Sequence, residues 1–179
     1  GKILFILMTS DKGLCGAMNN RLIRTTFRSE LWNETPESER ILITVGRKSA
    51  EAARGMNITI DQAFSGLKDK LEVVDGLAVI DAALSRWKSG EVKRVVLIAP
   101  EYVNPFVFNV QQRDYLPLTQ EVVTRAMESR NAPLKDTVTT EAAFFEPGQE
   151  AVVNQIAQQV VESLFMEAFF ELKATEYSS

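Results

Sequence analysis

Residues 2–9, KILFILMT, form a short unbroken apolar run closed by polar side chains, and this run constrains the fold more than any other feature. A half-exposed strand alternates apolar with polar residues. An unbroken run belongs to a strand covered on both faces, which is the usual state of a parallel sheet. Parallel strands need helical crossovers, and the chain supplies them. After a loop at Ser10 to Gly16, apolar Met18, Leu22, Ile23 and Phe27 mark a helix to about Trp32, and Glu34 to Glu39 is a polar break. Ile41 to Val45 reads as a second strand, Gly46-Arg47-Lys48-Ser49 opens a short helix to Arg54, and Ile58 to Ile60 is a third strand. Leu67 to Lys88 is helical, and Arg94 to Ala99 is a strand that Pro100 breaks. Pro105 to Val110 followed by Tyr115 to Leu118 predicts an antiparallel addition at one edge. Glu121 to Glu141, polar with Pro133 inside it, reads as a loop or a partly ordered helix. Strand-like Ala142 to Phe145 and the turn Glu146-Pro147-Gly148 lead into a long C-terminal helix from Gln149. The expected fold is α/β: one doubly wound, Rossmann-like domain over residues 1–179, its mostly parallel sheet covered by helices on both faces, plus that C-terminal helix.

The last helix is unusual. Val152, Val153, Ile156, Val160 and Leu164 make a normal one-sided stripe, but Phe165, Met166, Ala168, Phe169, Phe170 and Leu172 spread around most of the circumference. A helix apolar on nearly all sides needs more than one covering element. The expectation is that Phe165, Met166, Phe169 and Phe170 pack against a further helix from a longer chain or a partner, the chain being a truncated piece.

Composition removes most chemistries. There is no histidine, and the single cysteine, Cys15, forms neither an internal disulfide nor a Cys-rich metal site, so no metal and no cofactor are expected. No apolar run reaches the roughly 18 residues of a membrane span, and no secretory leader is present, which predicts a soluble domain in a reducing compartment. The sequon Asn57-Ile58-Thr59 is read as chance. The net charge of -4 does not point to nucleic acid, but its distribution is uneven. Residues 1–30 carry five cations against two anions, while residues 137–179 carry seven glutamates against Lys173. Oriented partners are the expectation.

The loop Thr9-Ser10-Asp11-Lys12-Gly13-Leu14-Cys15-Gly16-Ala17-Met18-Asn19 joins the first strand to the first helix, where doubly wound folds place ligands. Gly13 and Gly16 allow close approach to an anion, yet the spacing matches neither nucleotide-binding glycine pattern. Cys15 and Arg21 have the C-x5-R spacing of cysteine-dependent phosphatases. Against that stand the distance of Cys15 from the strand end and the lack of a Ser or Thr after Arg21. The alternatives at this stage are a phosphatase or a phosphate- or nucleotide-binding module using residues 10–21.

Taken whole, TSDKGLCGAMN is similar to the T-S-D-R-G-L-C-G-G-L-N signature of the gamma subunits of F-type ATP synthases. The resemblance continues through Ile43-Thr44-Val45-Gly46-Arg47-Lys48, Tyr115-Leu116-Pro117-Leu118, Phe145-Glu146-Pro147, Val161-Glu162-Ser163 and Lys173-Ala174-Thr175-Glu176. The departures are mild: Lys12 for arginine, Ala17 for glycine, Phe145 for tyrosine and Tyr177 for histidine or glutamine. What the resemblance implies is a non-catalytic central-stalk (rotor) subunit that couples ion-driven rotation of a membrane ring to ATP synthesis or hydrolysis. By the same resemblance Lys12 and Arg24, with Arg21 as an addition, face the alpha/beta catalytic hexamer. Phe145, Glu146 and Pro147 lie toward the ring of c subunits. The epsilon subunit binds the foot, and the missing N-terminal helix of the same subunit covers Phe165 to Phe170. Its implied place is peripheral, on the cytoplasmic face of a bacterial membrane or the matrix or stroma side in an organelle.

Overall fold

The first apolar run becomes the central strand, β1 (Lys2–Met8), buried from Ile3 to Met8 in the computed structural model, which describes residues 1–11, 16–65, 73–104, 107–128 and 150–178. β1 runs parallel to β2 (Arg40–Val45) on one side, with Met8 opposite Val45, and to β4 (Val92–Asn104) on the other, with Leu7 opposite Ile98. β3 (Gln62–Phe64) adds parallel outside β2, and β5 (Val107–Leu116) adds antiparallel outside β4. The order β3-β2-β1-β4-β5 reverses direction at β1, which is the doubly wound pattern expected.

The helices are α1 (Gly16–Arg28), α2 (Glu30–Glu34), α3 (Arg47–Gly55), α4 (Val73–Lys88), α5 (Gln120–Glu128) and α6 (Glu150–Ser178). α1 and α3 carry the chain outward from β1 to β3, and α4 brings it back to β4. Right-handed crossovers therefore place α1 and α3 on one face and α4 on the other. α4, α5 and α6 pack together on that second face, with α6 against β4 and β5.

Several expectations shift. The third strand lies at 62–64 and not at Ile58 to Ile60, because Asn57 takes a left-handed turn (φ 58°) and the Ile58 amide is still bonded to the Ala53 carbonyl at the end of α3. β4 runs through Pro100 to Asn104, keeping its pairing with β5 (Pro100 opposite Val110) beyond Ile98, where its pairing with β1 ends. β5 is one continuous strand. The first helix stops at Arg28, since the Ser29 hydroxyl accepts from the Trp32 amide and starts a new helix. A formed helix, α5, occupies 120–128 where a loop or partly ordered helix was expected. The strand expected at Ala142 to Phe145 lies outside the described residues.

The expectation for the last helix is corrected in the same way. Phe165, Met166, Phe169 and Leu172 are buried by this chain itself, between α4, α5 and the β4–β5 sheet, and of the four side chains assigned to an outside helix only Phe170 stays half-exposed. Gly76 on α4 makes the approach possible: a Cβ there would lie 2.4 Å from the Met166 sulfur. The surplus apolar circumference of α6 is the surface of a helix wedged between two others over a sheet.

Candidate functional site

The C-terminal ends of the parallel strands are where folds of this class hold ligands, and here that end is filled by the protein's own polar groups. Thr9 follows β1, its amide donating to the Val45 carbonyl (2.7 Å) and its hydroxyl accepting from the Ser49 amide in α3 (2.8 Å). Ser10 is held by Asn19: its amide donates to Asn19 Oδ1 (3.0 Å) and its hydroxyl accepts from Asn19 Nδ2 (2.8 Å). Asp11 Oδ1 accepts from the Arg47 amide at the first turn of α3 (2.8 Å), a capping bond between loops. Gly46 turns the chain at φ 97° so close to Thr9 that a Cβ would sit 1.9 Å from its carbonyl oxygen. The other oxygen of Asp11 lies 3.8 Å from Nζ of Lys173, which arrives from α6 with 2 % of its surface exposed.

The expected partner-facing cations separate. Arg21, though exposed, is engaged by its own chain, its guanidinium 4.8 Å over the Phe108 ring and bonded to the Phe108 carbonyl, so it ties α1 to β5. Among the described residues nothing in the geometry supports a phosphatase. Arg24 and Arg28 are exposed one and two turns further along α1, and among the described residues neither forms an ion pair. Lys12, Cys15, Phe145, Glu146 and Pro147 lie outside the described residues.

A second concave region, a cleft of about 310 Å³, opens between β4, β5, α5 and α6, with Tyr115, Arg113 and Arg125 facing Glu101, Glu167 and Glu171. Burial pushes the Tyr115 hydroxyl far above its ordinary range. Burial, reinforced by Arg113, pulls the Arg125 guanidinium below its ordinary value. Arg113 pairs with Glu101 at 3.2 Å, and Arg125 donates to the Asp114 carbonyl at 2.5 Å. These are cross-links of the fold and not an acid–base pair. Among the described residues no group of three His, Cys, Asp or Glu side chains converges on a point, and no helix is long and apolar enough to cross a membrane.

Sequence reasoning missed the Asp11–Lys173 contact and the Tyr115 cleft. The signal for the first was present: Lys173 is the one cation in residues 137–179, set in the most apolar stretch of the helix. The second depends on where α5 lands, which periodicity does not show.

A family model described as ATP synthase matches residues 1–179. Similar curated relatives include the ATP synthase gamma chain of Pelotomaculum thermopropionicum, 26% identical over 178 residues, covering 99% of this chain and 58% of the relative. That of Desulforudis audaxviator is 27% identical, covering 99% and 59%. The chain thus spans a little over half the length of these relatives. Among solved structures, a chain of the central stalk and c-ring of the Tetrahymena thermophila mitochondrial ATP synthase superposes with a TM-score of 0.56 at 19% identity, covering 99% of this chain and 76% of the other. A rotor chain of the Euglena gracilis mitochondrial ATP synthase gives 0.52 at 16%, covering 99% and 66%. At these identities the superpositions establish the shared fold.

Proposed function

This chain belongs to the ATP synthase gamma-chain family, and from that membership we propose that it forms the α/β foot of the central rotor stalk of an F-type ATP synthase. In this role it passes rotation between an ion-driven membrane ring and a catalytic hexamer and makes or breaks no bond itself. The observation that carries the proposal in physical terms is α6. It is 29 residues, roughly 44 Å of helix, and it is packed against α4, α5 and the sheet by side chains from Ile156 to Leu172. A helix gripped along its length cannot turn without turning the domain.

The helix also gives the foot a direction. Lys88, at the end of α4 where the strands begin, donates to Gln158 near the start of α6, while Lys173 meets Asp11 where the strands end. Residues 145–147 precede the first end in sequence, which supports their assignment to the ring side. Lys12 follows Asp11 in sequence and the exposed Arg24 lies on the first helix, which supports their assignment to the hexamer. Contacts that must form and release in every turn are best made by solvated charges such as Arg24. Residues 149–179, which carry α6, are the start of the C-terminal shaft helix, with Phe170 as its remaining apolar contact for the N-terminal helix. The epsilon subunit is the third rotor partner, and the cytoplasmic (matrix or stroma) face of the membrane is the location.

The intact subunit, mixed with the epsilon subunit and the c ring of the same organism, is expected to give a stable complex with each. Absence of both complexes sinks the proposal. In the assembled enzyme Arg24→Glu should lower ATP turnover several-fold, with the deficit shrinking as salt is added. A salt-independent deficit assigns Arg24 a different role.

A further inference from the structure

Lys173 lies where a ligand would. The strand order reverses between β1 and β4, and the crevice outside the carboxyl ends of those two strands is the position that doubly wound folds use for binding. Its floor in this chain is Thr9, Ser10 and Asp11 after β1, and its flank is the first turn of α3, Arg47 to Ser49. Into it comes an ammonium group from the far side of the sheet, with 2 % of the residue exposed and Nζ 3.8 Å from Asp11 Oδ2. A lysine taken this far from water needs a counter-charge, and among the described residues the Asp11 carboxylate meets it. Asp11 at the same time accepts the Arg47 amide through its other oxygen. One carboxylate therefore joins three elements that are far apart in sequence: the loop after β1, the start of α3 and the last turns of α6.

We propose that Lys173 is a built-in counter-ion of this crevice: it takes the place of a ligand and fastens the last turns of α6 to the loop after β1. It is a positioning residue for that loop, whose next residue is Lys12. The inference rests on the stalk reading only for its purpose, which is to fix the hexamer-facing loop to the helix that turns. The contact itself stands apart from that reading, so the two can fail separately.

The consequence is local and specific. The Arg47 amide is bonded to Asp11, the Lys48 amide to the Ser10 carbonyl (3.3 Å) and the Ser49 amide to Thr9. Hydrogen exchange at these amides in the intact subunit reports whether the loop is held. Lys173→Met removes the charge and keeps the stem, and Asp11→Asn keeps the acceptor for Arg47 and removes the counter-charge. Each is expected to speed exchange at Arg47 and Lys48 on the order of tenfold or more while leaving β1 amides such as Phe5 within about twofold. The double variant should be no faster than the quicker single one, because the two residues act as one contact. Lys173→Arg, which keeps the charge, should restore most of the protection. Additive effects overturn the proposal, as does acceleration spread evenly over the sheet or an unchanged Arg47 amide in both single variants. If Lys173→Met does not fold, Asp11→Asn with the Lys173→Arg comparison decides alone. A normal rotor complex formed by variants that lose the protection leaves the stalk reading intact and confines Lys173 to the fold. Loss of every partner by the unmodified subunit removes the stalk reading and leaves the contact standing.

Discussion

The two ends of the sheet are both cross-linked by charge, but at different depths. Where the strands begin, Arg86 donates one nitrogen to both oxygens of Glu91, at 2.8 and 2.7 Å, and another to Asp61 at the start of β3. Lys2 adds a looser contact to Glu91 at 3.9 Å. These side chains keep 22 to 45 % of their surface in water. Where the strands end, the Lys173 side chain keeps 3 % and Asp11 keeps 21 %. Charges that remain hydrated lose little when a partner is removed. A charge that has left water depends on its protein partners, so the contact is worth little as a pair and a great deal as a constraint. The first end is a solvated network holding three strand starts in line. The second end is a fastening, and it lies beside the loop that carries the family signature.

Gly46 tests that second end most severely. Alanine there would need a left-handed conformation and would drive a Cβ to 1.9 Å from the Thr9 carbonyl. Gly46→Ala should cost at least about 3 kcal/mol in urea unfolding, and it should do so by displacing Thr9 and Ser10. A cost below about 1 kcal/mol means that the two loops are not in contact.

The direct comparison is Asp11→Ala against Asp61→Ala, one carboxylate from each end. Removing Asp11 takes a carboxylate from the buried Lys173 ammonium and the acceptor from the Arg47 amide, for an expected loss of about 3 kcal/mol. Removing Asp61 leaves Arg86 on Glu91 and partly in water, for a loss of about 1 kcal/mol or less. Unfolding of both variants at low and high salt checks the difference. The Asp61 effect should shrink with salt and the Asp11 effect should not. Equal costs, or equal salt sensitivity, erase the distinction drawn between the ends.

How much of this was legible in the sequence follows the same division. The core strands were, because Leu4 to Leu7, Leu42, Ile43 and Val95 to Ile98 are buried on both faces and read as unbroken runs. Edges were less legible. Gln62 to Phe64 is a three-residue strand with two exposed members, and β5 reads exposed and half-buried along most of its length, so neither carries a clean period. The apolar surplus at Phe165 to Phe170 was visible, but its cover was assigned to a missing helix because a sequence does not show that Gly76 leaves room for Met166 or that α5 forms at all. The basic first helix was legible as a charge pattern. The division of labour within it was not, since Arg21 binds Phe108, 87 positions away, while Arg24 forms no ion pair among the described residues. The Asp11–Lys173 contact joins residues 162 positions apart, and no local rule brings them together.

The smallest effect concerns a buried group that stays neutral, and it separates burial from pairing. Tyr115 is 4 % exposed on β5. Burial pushes its hydroxyl far above the ordinary range, Arg125 pulls the other way, and Glu167 adds to the rise. The folded protein therefore keeps the proton in conditions where the unfolded chain, with a tyrosine pKa of about 10, gives it up. A raised folded value means that the contribution is fully present below about pH 10 and is lost as pH climbs beyond it, at up to about 1.4 kcal/mol per pH unit. Urea unfolding of the unmodified chain and of Tyr115→Phe at pH 9 and pH 10.5 isolates this part, since the other tyrosines and the lysines titrate alike in both. The loss between the two pH values should be about 0.8 kcal/mol smaller in the phenylalanine variant. Parallel losses would show that water reaches the hydroxyl through the cleft. The flank of α6 at Tyr115 would then be as wet as the Arg86 end, and the dry contact along this helix would be confined to its last turns.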